Sequence, residues 1–247
     1  MEASRERNAS HGTLAELAIT YPAASRVFHR EGLDYCCGGK RSFEEVCASR
    51  GLNAESLLSE IEQTDVPNAR PWSDRPLGEM ISHIIGHYHD SLREELPQLV
   101  ALAAKVETRH SDKDSCPRGL AAHLDAVHSS LLEHMTKEEQ VLFPMIQAGY
   151  GKRAGGPVQA MEQEHRDHAE ALRRTRALAH DLVPPEEACT SWRALYLRLN
   201  QLEADLMEHI HLENNVLFPA FEAGAAPSSQ GCGPSGCACS GGGTLQA

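Results

Sequence analysis

LLEHMTKEEQVLFP occupies residues 131–144, and LMEHIHLENNVLFP occupies residues 206–219. Both read H-x3-E-x2-VLFP. A match at this level of detail points to a duplicated helical pair with its halves related by a pseudo-twofold axis. Around the first copy Val127, Leu131, His134, Glu138, Val141 and Met145 step by alternating fours and threes. Around the second, Leu202, Leu206, His209, Glu213, Val216 and Ala220 do the same. That spacing is the core-facing stripe of a bundle helix. In each stripe a histidine and a glutamate stand where apolar side chains belong.

Two further amphipathic segments complete the set. Ile85, His89, Leu92, Leu96 and Leu99 mark one stripe, and Val158, Met161, His165 and Leu172 mark the other. The four segments span roughly 76–107, 117–148, 157–182 and 185–222, each with a proline (Pro76, Pro117, Pro157, Pro185) near its first helical position. Short polar or Gly-rich links predict an all-α, up-down four-helix bundle over 76–223. Residues 1–64 predict a small helical N-terminal domain, with Pro22 opening one helix and Ser42/Glu45 forming a capping box for another. Residues 65–75 read as a linker, and the Cys/Gly-rich tail 224–247 is expected to be disordered.

Each of the four helices thus turns one histidine inward, and two also turn a glutamate inward. Burying these groups without partners is costly, and a metal cluster removes that cost. A His and a Glu at i, i+4 lie about 5–6 Å apart at Cβ, so both reach one metal or the glutamate bridges two. Two bridging carboxylates suit metals roughly 3.5–4 Å apart. Imidazole with carboxylate suits iron, manganese or zinc. The expected ligands are His89, His134, Glu138, His165, His209 and Glu213. Against this stands a bundle whose histidines are satisfied by the glutamates alone. A ferritin-like Glu-x2-His arrangement would use Glu162/His165 and Glu208/His211, but the latter pair falls off its stripe. His83 and His87 are read as solvated or outer-sphere, and His123, His128 and His180 as surface residues. His168 reads as lining the site from one turn beyond His165.

The net charge of −12 without a long basic run argues against nucleic acid and anionic membranes as partners. No apolar stretch reaches spanning length, so a cytoplasmic location is expected. Eight cysteines in scattered clusters suit metal or redox work in a reducing compartment better than a disulfide framework. In DYCCGGKRSFEEVC (34–47), Cys36 and Cys37 precede a helix and neighbour Lys40 and Arg41, a setting that lowers thiol pKa. Gly38 and Gly39 are read as a tight turn that leaves the sulfurs approachable. A thiol pair that passes on or gates iron or nitric oxide is the expected role. The other reading is a reduced pair packed against the bundle. Cys47 is expected to fill core space, Cys116 and Cys189 have no evident partner, and Cys232, Cys237 and Cys239 form a C-x4-C-x-C run in the tail.

Taken with HIIGHYHDSLREELPQL, MEQEH and PPEEACTSW, these motifs make residues 13–223 resemble the iron–sulfur cluster repair di-iron proteins. Members of this "repair of iron centres" family join a DYCCGG module to a haemerythrin-like bundle. The resemblance implies a carboxylate-bridged pair of non-haem iron ions on the same six residues, and damaged iron–sulfur proteins as partners. Nitric oxide or dioxygen would be the small ligands, with repair by iron donation, by a nitric oxide reductase-type activity, or by both. A homodimer is compatible with it. Oxygen-carrying haemerythrins have another His one turn beyond the third-helix ligand, and here that place is Ala169. The competing functions are dioxygen or nitric oxide binding and sensing, and iron storage or ferroxidase activity.

Overall fold

The computed structural model describes residues 12–65, 71–151 and 155–224. It is helical throughout, with one isolated bridge between Thr13 and Ser42 and no strand among the described residues. The three tail cysteines lie outside the described residues.

Four short helices come first: α1 (Leu14–Thr20), α2 (Ala23–Arg30), α3 (Phe43–Ser49) and α4 (Ala54–Thr64). Leu14, Leu17, Phe28, Leu33, Tyr35, Phe43, Val46, Cys47 and Ile61 form their shared core, with Met207 of the bundle packed against it. The capping box is at the start of α1, where Thr13 Oγ1 accepts from Glu16 N–H at 3.2 Å and Glu16 accepts from Thr13 N–H at 2.8 Å. Ser42 makes no side-chain cap bond, contrary to the reading of Ser42/Glu45.

The bundle begins with α5 (Leu77–His83), which runs through a π turn (Ile84–His89) into α6 (Asp90–Arg109). Next come α7 (Leu120–Lys137), a π turn (Glu138–Leu142) and α8 (Phe143–Gln147). The third rod is α9 (Gly155–Leu178). The fourth is α10 (Thr190–Leu212), a π turn (Glu213–Leu217) and α11 (Phe218–Glu222). α6 packs on α7 and α10, α7 on α9, and α9 on α10, which closes the four-rod ring. Leu96, Leu99, Leu124, Leu131, Trp192, Leu195, Leu199 and Leu206 fill one end of its core. Ile84, Leu142, Phe143, Met161, Leu217 and Phe218 fill the other.

The prolines mark helix starts less tightly than expected. Pro76 caps α5 and Pro157 lies in the first turn of α9, but α7 starts three residues after Pro117 and α10 five after Pro185. Before α7, Gly119 takes φ +85°, which an L side chain resists. The third rod stops at Leu178, short of the expected 182, because His180, Asp181 and Leu182 adopt left-handed φ values of 51°, 56° and 61°.

The π turns correct the stripe of the second rod. One extra residue per turn rotates everything beyond Glu138. Leu142, Phe143 and Ile146 are buried, while Val141 is 50 % exposed and Met145 only half-buried. The cause is local. Pro144 has no N–H to give Gln140 O, and the preceding turn closes instead by Phe143 N–H to Glu138 O, five residues back. Pro219 has the same relation to Phe218 N–H and Glu213 O. The first rod makes the matching bond, Asp90 N–H to Ile85 O, without a proline beside it.

Candidate metal centre

All six stripe residues meet at the level of the three π turns. Each is at most 1 % exposed. His89, His209, Glu138 and Glu213 offer ligand atoms within 4.8 Å of one another, and so do His134, His165, Glu138 and Glu213. The two glutamates belong to both groups, and each group could hold one cation. π turns often sit at functional sites because they turn a side chain out of helical register.

The chemistry of these atoms asks for cations. Glu138 and Glu213 leave all four carboxylate oxygens without a hydrogen-bond donor. Glu213 Oε2 and Oε1 lie 3.1 Å from His165 Nε2 and His209 Nε2, and Glu138 Oε2 and Oε1 lie 3.4 Å from His89 Nε2 and His134 Nε2. These are convergent approaches, with no N–H aligned on an oxygen. His134 and His165 also face one another, Nε2 to Nε2, at 3.1 Å. Each gives its Nδ1 proton elsewhere, to Glu164 at 2.8 Å and to Asn214 at 2.8 Å. In the neutral rings both Nε2 atoms are therefore lone pairs, and a cation between them relieves the repulsion. His89 gives its Nδ1 proton to Glu139 at 2.7 Å, and Arg93 holds that carboxylate at 2.6 Å.

Burial and the facing His165 push His134 down to about 2, and burial and His209 push His89 down to about 4. Both rings are thus neutral at pH 7, the form that binds metal. His165 moves up instead: burial opposes this, but Glu213 and Asn214 outweigh it. Burial and Glu213 raise Glu138 well above the ordinary carboxylate range. Glu213 is held well below that range, burial notwithstanding, by His209 and His165. Two buried carboxylates this close cannot both carry an uncompensated charge.

Tyr88 stacks on His209 (5.5 Å), Phe143 on His89 (5.8 Å) and Phe218 on His165 (6.1 Å), which walls the site with aromatic rings. His168 is buried against His134 at 4.9 Å between rings, with Nε2 unpartnered. Glu208 and His211 face the N-terminal segment: Tyr35 Oη donates to Glu208 at 3.3 Å, and the Tyr35 ring meets His211 at a tilt, 5.4 Å between centroids. His83 stacks on Trp72 at 4.3 Å and is half-buried, so it is not a freely solvated ring, whereas His87 is exposed. His123 is half-buried as well, bonded to Ala171 O or Thr175 at 3.0 Å. Sequence reasoning missed Glu139, Glu164, Asn214 and Asn215. Two of them were legible in the repeat, since the residue after each stripe glutamate carries an oxygen acceptor, Glu139 in one copy and Asn214 in the other.

Cys36 and Cys37 dock on this site's flank. Cys36 is 3 % exposed and belongs to the bundle core; Cys37 is half-buried. Their sulfurs are 3.9 Å apart, Cys37 Sγ lies 3.6 Å from His165 O, and Asp34 Oδ1 accepts from Cys37 N–H and Gly38 N–H. A cleft of about 400 Å³ lined by His29, Asp34, Cys36, Arg176 and Glu203 leads to the loop. The glycines serve close approach: a Cβ on Gly38 would lie 2.7 Å from Asp34 O, and one on Gly39 2.6 Å from Tyr35 O. Cys37 is lowered by the hydrogen bond from the Cys36 thiol, with His165 and Arg166 adding to it. Lys40 and Arg41 are not the cause. Cys36 is pushed up by the same bond and by burial. Cys47 is fully buried in the N-terminal core. Cys189 does have a neighbour, His110 Nε2 at 3.2 Å.

Comparison with known proteins agrees with this geometry. Residues 80–221 match the hemerythrin HHE cation binding domain, and residues 10–65 match ScdA_N, a domain of unknown function. Similar proteins named iron-sulfur cluster repair protein YtfE include that of Dickeya chrysanthemi, 48 % identical over 209 residues, which cover 84 % of this chain and 95 % of the relative. That of Citrobacter koseri is 48 % identical over 85 % of this chain and 96 % of its own. That of Musicola paradisiaca is 45 % identical over 87 % and 97 %. Among the described residues no helix is long and apolar enough to cross a membrane. With its cation-binding bundle and a matching ScdA_N segment ahead of it, the chain belongs to the YtfE iron-sulfur cluster repair family.

Proposed function

We propose that this protein repairs iron–sulfur clusters damaged by oxidative or nitrosative stress, and that its bundle holds two iron ions for that purpose. The observation that carries the reading is the convergence of four histidines and two shared, donorless glutamates in a buried site. His89 and His209 would hold one iron, His134 and His165 the other, and Glu138 and Glu213 both. Mixed imidazole and carboxylate donors suit iron, and a bound pair would supply ferrous ions and sites for small ligands such as nitric oxide or dioxygen.

The chain's own residues define the rest. Glu139, Glu164 and Asn214 fix the tautomers and ring directions of three histidines. Tyr88, Phe143 and Phe218 exclude water. The thiols of Cys36 and Cys37 would receive an iron leaving the bundle and pass it to a damaged iron–sulfur protein, a role supported by the 3.6 Å approach of Cys37 Sγ to His165 O. A Cys36→Ser, Cys37→Ser variant should keep its iron, because no sulfur is among the six ligands, and should lose most repair activity, because serine supplies no thiolate. The assay restores an iron–sulfur enzyme inactivated with nitric oxide. Undiminished repair by the double variant would remove the thiols from the mechanism.

A further inference from the structure

The inner ring of the site is nearly symmetric, but its surroundings are not. Glu139 and Asn214 hold the same place in the repeat. Glu139 spends its carboxylate on His89 and Arg93, both within the bundle. Asn214 reaches out of it. Its Oδ1 accepts from His165 Nδ1 at 2.8 Å while its Nδ2 donates to Cys36 O at 3.3 Å. Asn215 adds bonds to Tyr35 O at 3.2 Å and Cys36 O at 3.1 Å. Cys37 Sγ closes the circuit on His165 O at 3.6 Å. His89 and His134 take their Nδ1 partners, Glu139 and Glu164, from within the bundle. One imidazole of the four is therefore oriented by an amide whose other end is fastened to the peptide carrying the thiols.

We infer that Asn214 is a positioning residue that puts one iron, the one held by His134 and His165, under the control of the Cys36–Cys37 loop, and that this is the iron released. The inference rests on the two-iron reading above. Movement of the Cys36 carbonyl changes the amide and so the direction and basicity of His165, while in the other half His89 keeps Glu139 and His209, whose Nδ1 has no partner, has no tie to the loop. Release is ligand exchange: Fe(II) leaves His165, His134 and the carboxylates for a competing chelator, with no change of oxidation state.

The test uses the full-length diferrous protein, anaerobic, with a ferrous chelator followed in the visible. Two phases of equal amplitude are expected. Partners of ligating histidines tune metal affinity by about 10- to 100-fold, which sets the expected size of the changes. Asn214→Asp gives His165 a carboxylate and cannot donate to Cys36 O, so the fast phase should slow about tenfold. Asn214→Ala removes the acceptor, so the fast phase should quicken by a similar factor. The slow phase should hold in both. A residue that merely keeps the loop folded would quicken release in both variants, and that result would overturn the assignment.

The second readout is proton NMR of the ferrous protein, where ring N–H protons of iron-bound histidines are shifted far downfield. The resonance that Asn214→Asp displaces should vanish with the fast phase. Its survival into the slow phase, or a single release phase, would refute the inference. Cluster repair is assayed in parallel. Two-phase release with the predicted variants but no repair would sink the repair reading and leave the control by Asn214 standing.

Discussion

Val141 is 50 % exposed and Leu142 only 1 %, although regular helical stepping from His134 and Glu138 predicts the reverse. The π turn accounts for this, and the consequence is measurable by urea denaturation. Val141→Lys should change stability by no more than about 0.5 kcal/mol. Leu142→Ala should lose about 2–5 kcal/mol by opening a cavity in the core. At this scale the six converging side chains were legible, because a charged or polar side chain inside an apolar stripe stands out. The outer ring was not. Glu164 lies on a half-exposed face and looks like any surface glutamate until His134 Nδ1 is found against it. Cys36 and Cys37 were legible as a special pair. Their environment was misread in part: the largest influence on Cys37 is the adjacent Cys36 thiol, but His165 and Arg166, which add to it, are more than a hundred residues away in the chain.

Among elements, the four amphipathic rods could be read from periodicity, and their ends could not. Prolines 117 and 185 precede their helices by several residues, and the left-handed turn at 180–182 carries no glycine to announce it. The π turns carry a signal that is legible in retrospect. Pro144 and Pro219 each fall six residues after a stripe glutamate, inside rods that would otherwise be regular. Capping gives a direct comparison between a wrong sequence reading and the observed bond. Thr13→Ala breaks a reciprocal cap and should cost about 1 kcal/mol. Ser42→Ala, at a position with no side-chain cap bond, should change stability by less than about 0.5 kcal/mol in thermal or urea unfolding.

Across the whole molecule, the N-terminal helices are clamped to the bundle as well as packed on it. Glu203 of α10 is 8 % exposed and takes Arg176 at 2.5 Å and 2.8 Å and His29 of α2 at 3.2 Å. Burial would raise its pKa, but His29 and Arg176 outweigh that and hold it below the ordinary carboxylate value. A depressed folded-state pKa contributes stability above the unfolded value of about 4.3, and loses it as pH falls through the lower folded value. Glu203→Gln should therefore be destabilising by about 1–3 kcal/mol at pH 7, with the difference from the wild type shrinking below pH about 4. No periodicity in the sequence identifies this contact, since it joins residues from α2, α9 and α10 across the fold. The same contact surface carries the thiol loop to the flank of the metal site, so the clamp and the cluster belong to one account. Its central claim is a pair of irons bridged by Glu138 and Glu213. The most direct measurement is Mössbauer spectroscopy of protein reconstituted anaerobically with iron-57. The account predicts about two irons per chain, magnetically coupled in the wild type, with coupling lost in both Glu138→Ala and Glu213→Ala. A fully loaded, coupled pair that survives the double substitution would contradict it.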